Sequence, residues 1–261
     1  MPRRRGHQGE PPVLTFPTTA WAVLLLGGLT LTIVAALRLE KPGLQPWALL
    51  RAAVQLAALS LLLSGIITSP VLTVLFLAAM VLAATFIVYR RLRLPPIRLP
   101  TVALIVAASA AVPAALVFTS GAVEFSPRYL LAVGGIVVGN SMTVCTLMGR
   151  GLASAVLTNR DEAEGWLALG ATPRRAVLRL VRAAASTALI PSTDQTRTTG
   201  LVTLPGAFVG AVFAGASPGQ AAQFQMVVLA AILAAGAIAV LGCSWAFGAP
   251  RVLPLDDSGL R

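Results

Sequence analysis

Few residues in this chain could do chemistry, and most of them stand among apolar neighbours. Asp194 and Arg197 are three positions apart, so a helix would carry both on one face. A charge within a membrane span is costly and ordinarily faces the interior of a helix bundle. Pro191, Gly200, Pro205 and Gly206 flank the pair and would interrupt that helix. A broken helix at membrane depth is characteristic of transport sites. The competing reading is an internal ion pair that fixes packing, or a wet span end. Asn140, Met142 and Cys145 form a second polar or soft cluster. Asn140 can reach across to another helix, whereas Met142 and Cys145 serve equally well as packing residues. Arg51 and Gln55 are i, i+4 neighbours; Arg51 either lines a path or snorkels to the interface.

Other chemistry is excluded by counting. There is one histidine, His7, one lysine, Lys41, and two cysteines, Cys145 and Cys243. A structural zinc site takes about four N/S ligands, so no dedicated metal cage is expected. A nucleotide-binding P-loop needs Gly-Lys-Ser/Thr after a glycine-rich turn, and Lys41 lies in Glu-Lys-Pro. No catalytic carboxylate pair or intramembrane Ser-Lys arrangement is present. The expectation is a chain that is not an enzyme, has no catalytic residues and carries no cofactor of its own.

The elements that position these residues follow from composition. Of 261 residues, 57% are hydrophobic and 11% charged, and the mean hydropathy is +0.84. Soluble chains carry about 25% charged residues. At about 20 residues per membrane helix, the apolar content supplies about seven spans. A soluble enzyme, a disordered chain and a surface nucleic-acid binder are thereby excluded. The fold class is all-α: a polytopic membrane protein of about seven transmembrane helices with one cytoplasmic helical elbow. The apolar runs are 18–37, 48–67, 71–89, 101–119, 129–148, 183–214 and 221–247. They divide the chain into a polar N-terminal tail (1–17), a transmembrane domain (18–247) and a C-terminal tail (248–261). Trp21, Trp47, Tyr89, Tyr129 and Trp245 fall near span ends, where amphipathic rings favour the interface.

The net charge of +11 is explained by orientation rather than by nucleic acid. Seven spans with the N-terminus outside and the C-terminus in the cytoplasm place fifteen of the twenty Lys and Arg on the cytoplasmic side. Arg3, Arg4 and Arg5 oppose that balance.

The longest polar segment is 149–182. Within it, Asn159 can cap a short helix whose first turn carries Asp161, Glu162 and Glu164. Gly170 fits a left-handed C-cap. Thr172 can cap a second helix with Pro173 at its first position. Arg175, Arg179 and Arg182 then fall at i, i+4 and i+7 on one face. The plain alternative is a solvated loop helix with basic membrane anchors. Gly135-x3-Gly139 and Gly206-x3-Gly210 offer small faces for close helix contact, a weak signal compatible with a homodimer.

Glu164-x5-Gly170 has the spacing of the acidic-to-glycine loop of many ABC transporter permeases, which docks on a separate ATP-binding subunit. Three blocks go further: Gly139-Asn-Ser-Met142; Arg160-Asp-Glu-Ala-Glu-Gly-Trp-Leu-Ala-Leu-Gly-Ala-Thr-Pro173; and Ala188-Leu-Ile-Pro191 through Gly200-Leu-Val-Thr-Leu-Pro-Gly206 to Gly215-Ala-Ser-Pro218. Together they resemble the FetB-type iron-export permease family, whose plant relatives act in aluminium tolerance. The resemblance covers about residues 139–218. It implies an ABC permease subunit in the plasma or inner membrane, a homodimer, driven by ATP bound to a partner ATPase and exporting a metal ion or other small solute. Asp161, Glu162, Glu164, Gly170, Thr172, Pro173 and Arg175 would then couple to the ATPase. Arg51, Gln55, Asn140, Met142, Asp194 and Arg197 would line the substrate path. The stretch 192–214 holds no methionine, so soft thioether ligands for iron are absent there. The alternative function is a self-contained secondary transporter or channel using the Asp194/Arg197 pair.

Overall fold

The structure is a computed structural model that describes residues 16–38 and 43–249. His7, Lys41, the N-terminal arginines and nearly all of both tails lie outside the described residues. The chain divides into two units, 1–64 and 65–261.

In the first unit, α1 (Phe16–Ala36) and α2 (Leu44–Ile66) are apolar all round and keep large hydrophobic side chains exposed, among them Trp21, Leu25 and Leu61. Their threonine hydroxyls donate back into the helix, Thr30 to the Leu26 carbonyl and Thr32 to that of Gly28. This keeps those two hydroxyls satisfied within α1.

In the second unit, three long helices open with the same signal. α3 (Pro70–Arg91), α5 (Pro127–Thr158) and α10 (Pro218–Phe247) each begin at a Ser-Pro step, with Ser69, Ser126 or Ser217 as N-cap. The serine oxygen accepts an orphan backbone N–H, and proline, lacking one, fits the first turn. Ser217 and Gln220 complete a capping box. Between them, a 3₁₀ turn (Pro96–Arg98) leads into α4 (Leu99–Thr119).

α5 and α10 form the centre and run in the same direction. The Tyr129 ring meets Phe224 at 5.4 Å, and Asn140 reaches the Ile232 carbonyl at 3.0 Å. α3 runs alongside α5: a Cβ on Gly134 would meet Leu77 at 2.9 Å, and one on Gly149 would meet Leu92 at 2.5 Å. α4 runs opposite to α10, Gly242 against Ile105 and Arg98 on the Ala246 carbonyl. Val106, Val133, Val137, Met148 and Ala239 are completely buried in the resulting core.

Six helices among the described residues are long and apolar enough to cross a membrane: α1 to α5 and α10. The apolar stretch 183–214 crosses differently. It forms α8 (Leu178–Thr198) and the short α9 (Gly206–Phe213), separated by a tight turn. Because α5 and α10 are parallel, one crossing must lie between them, and α8 with α9 makes it in two pieces.

The sequence reading ended the fifth span at Met148. α5 instead continues to Thr158, because Leu152 and Val156 keep one face buried while Gly151 packs on Ala184. The polar segment is therefore shorter than expected. It comprises α6 (Arg160–Ala168), α7 (Pro173–Ala176) and the first turn of α8.

Candidate functional site

The elbow brings Asp161, Glu162 and Glu164 on α6 together with Gly170, Thr172, Pro173 and Arg175. It sits at the arginine-rich end of the second unit, beside the end of α10: Arg174 donates to the Trp245 carbonyl at 3.0 Å. Gly170 has φ +84°, the left-handed conformation that ends α6. Pro173 opens α7.

Three details differ from the sequence reading. The Asn159 side chain does not cap α6; its amide donates backwards to the Ala155 carbonyl at 2.8 Å. Thr172 holds the N-cap position in extended conformation but makes no side-chain cap bond. Arg175, Arg179 and Arg182 do not share one helix face, because the helix breaks at Val177. Ala176, Val177 and Leu180 are all buried around that break.

Sequence spacing could not reveal the contact that closes the elbow. Arg179, from the start of α8, makes a two-pronged hydrogen bond to both Glu162 carboxylate oxygens, one of them at 2.9 Å. The two residues are 17 positions apart. The hydrogen bond from Arg179 holds the Glu162 carboxyl below its ordinary value, against a smaller opposing desolvation effect, and the guanidinium charge acts in the same downward direction. The same pairing raises Arg179. Glu164 is held within α6 by Arg160 at 2.6 Å. These contacts leave Trp166, Leu167 and Leu169 exposed at the tip, Leu169 at 82%. A cleft of about 350 Å³ opens nearby, lined by Arg91, Arg93 and Arg150 over Leu152, Val156 and Phe247.

The path residues are placed on three helices. Arg51 and Gln55 are exposed on α2, in the first unit. Asn140 and Met142 lie half-buried on α5; Asn140 ties α5 to α10, and Met142 packs against the core. Asp194 and Arg197 are exposed on α8. They are not bonded to each other, and among the described residues neither forms an ion pair. Cys145 and Cys243 are both buried and free.

α8 runs opposite to α5, with Ala184 at the level of Gly151 and Leu189 against Gly236, which also faces Asn140 and Val144. Asp194 lies about 7 Å further along, at about 1.5 Å per residue. The pair therefore sits deep in the layer that α5 and α10 traverse. Pro191 is accommodated within α8. The helix stops instead at Gly200, φ +84°, where Val202 and Thr203 N–H groups close onto the Thr198 carbonyl. Pro205 then starts α9. Beyond the break, a cavity of about 700 Å³ is lined by Glu124, Arg128, Tyr129, Gln220 and Phe224. Its polar residues come from different loops and helix ends, so no sequence motif announces it. Among the described residues no cluster of three or more His, Cys, Asp or Glu could hold a metal ion.

Residues 17–249 match the uncharacterised protein family UPF0014. This chain belongs to that family. It is 40% identical over 136 residues to the UPF0014 membrane protein STAR2 of Oryza sativa subsp. japonica, covering 52% of this chain and 48% of that protein. It is 32% identical over 138 residues to the probable iron export permease protein FetB of Escherichia coli strain K12, covering 53% of each. It is 40% identical over 114 residues to the protein ALUMINUM SENSITIVE 3 of Arabidopsis thaliana, covering 44% of this chain and 42% of that one. The chain thus spans about half the length, or somewhat less, of the curated relatives it matches. No solved structure matches it. The UPF0014 chain is a multi-pass membrane protein of the family expected from its sequence blocks.

Proposed function

We propose that this UPF0014 chain is the permease subunit of an ABC transporter, exporting a metal ion or other small solute and driven by ATP bound to a separate subunit. The observation that carries the reading is the elbow. Gly170 makes the turn between α6 and α7, Glu162–Arg179 clamps α6 to the start of α8, and Trp166 and Leu169 stand exposed at the end of α6. Exposed aromatic anchors ringed by charge are the residues on which protein interfaces concentrate their energy. A rigid elbow transmits a push to α8, since Arg179 is at its start and Asp194 near its end. Asp161, Glu164, Thr172, Pro173 and Arg175 complete the docking face. The name of the Escherichia coli relative supports export, and iron is one candidate substrate. Homodimerisation and a cytoplasmic elbow belong to the same proposal.

The test is mild-detergent purification of the tagged chain with assay for a co-purifying ATPase. Trp166→Ala should weaken that association by about 2 kcal/mol or more, the loss typical of a buried interface aromatic. Gly170→Pro, which forbids the left-handed turn, should abolish it. A chain that carries no ATPase and conducts solute in liposomes without ATP would overturn the proposal in favour of a secondary transporter built on Asp194 and Arg197.

A further inference from the structure

α8 has two unlike faces. Leu180, Ala184, Ala188 and Ser192 recur every four residues and are buried in the bundle. The opposite side exposes Ser186, Thr187, Thr193, Asp194 and Arg197, with Ala183 and Ile190 among them. This polar face extends about 16 Å along the helix at 1.5 Å per residue, through a layer where the neighbouring helices expose Leu, Val and Phe. Lipid cannot cover it cheaply, because an acid or arginine at the centre of a span is strongly disfavoured against hydrocarbon. Nor do the two charges neutralise each other within the helix.

We propose that a second copy of this chain covers this face, with the two α8 helices side by side about a two-fold axis. Each Asp194 then pairs with the partner subunit's Arg197. Both copies cross the membrane in the same sense, so their α8 helices are parallel and the same residues lie at the same depth. An acid and a base one turn apart are self-complementary under that symmetry, since residue i of one copy meets j of the other and j meets i. The reciprocal pairs, next to the helix break at Gly200, close the centre of the path. Separating them opens a channel lined by hydroxyls and both charges. This inference rests on the permease reading and names the gate within it.

The experiment co-expresses two differently tagged copies and measures how much of one is captured through the other. Asp194→Arg in both copies, or Arg197→Asp in both, places like charges together and should lower capture about tenfold or more, since like-charge juxtaposition disfavours association. One copy with Asp194→Arg and the other with Arg197→Asp should restore capture to the native level. An ion pair within each helix predicts the reverse, because each of those chains then carries two like charges. No recovery in the mixed pair overturns the gate. If a reversed chain fails to insert, Thr193→Cys decides instead. A cross-link to dimer size supports the axis, and its absence overturns it. An ATPase that still co-purifies with either variant leaves the permease reading standing, so the two failures are distinguishable.

Discussion

The Glu162–Arg179 contact illustrates how one pair of side chains sets the behaviour of the elbow. Glu162 is exposed enough that its value lies in geometry more than in stability, as for most surface ion pairs. Its carboxyl is depressed relative to the ordinary glutamate value of 4.5. The ionised form is therefore favoured in the folded elbow. The contribution of the pair is fully present above the unfolded-state value and is lost as pH falls through the depressed one. The protection factor for amide hydrogen exchange in α6, taken against the intrinsic rate at each pH, should stay flat from neutral pH down to the usual carboxylate range and fall below it. Glu162→Gln should remove that acid-dependent step. A step that persists in the Gln variant would assign it to another group.

At the scale of elements, helix packing is governed by small residues that let neighbours approach. Gly134 receives the Leu77 side chain of α3, Gly149 that of Leu92 at its C-cap, and Gly242 receives Ile105 of α4. Gly206 and Gly210, singled out in the sequence for the same role, have open space around their Cα atoms. Gly149→Val should crowd Leu92 and destabilise the second unit by about 1–3 kcal/mol, the usual penalty of overpacking. Gly210→Val should be nearly silent in the same thermal unfolding assay in detergent. Equal losses at both positions would contradict this account of α3 against α5.

Across the second unit, the charged residues other than Asp194 and Arg197 separate to its ends. Arg90, Arg91, Arg93, Arg98, Arg150, Arg160, Arg174, Arg175, Arg179 and Arg182 lie at the end where α3, α5 and α10 finish and α4 and α8 begin. Arg128 and Glu124 lie at the other. An excess of arginine marks the cytoplasmic side. Cysteines introduced at Trp166 and Glu124 should therefore label from opposite faces of intact cells, only the second from outside. Labelling of Trp166→Cys from outside would reverse the topology and remove the elbow from any cytoplasmic ATPase.

The sequence alone determined the all-helical membrane class, the family blocks and the place of the elbow. These are written in local terms: apolar runs of span length, a glycine where φ must be positive, a proline where a helix begins. Ser-Pro steps at 69, 126 and 217 mark three helix starts for the same local reason. Only the tertiary structure decided what depended on neighbours. α5 runs ten residues past Met148 because Leu152 and Val156 have a partner helix to bury against, and Asn159 turns back to Ala155 instead of capping α6. Glu162 finds Arg179 only because two helix breaks fold α8 back towards α6. Pro191 reads as a helix breaker yet stays inside α8, whereas Gly200 stops it, since a left-handed turn there closes three backbone bonds onto the Thr198 carbonyl. Hydrophobic pattern reports how much a segment must bury; which surface it is buried against is a property of the whole chain.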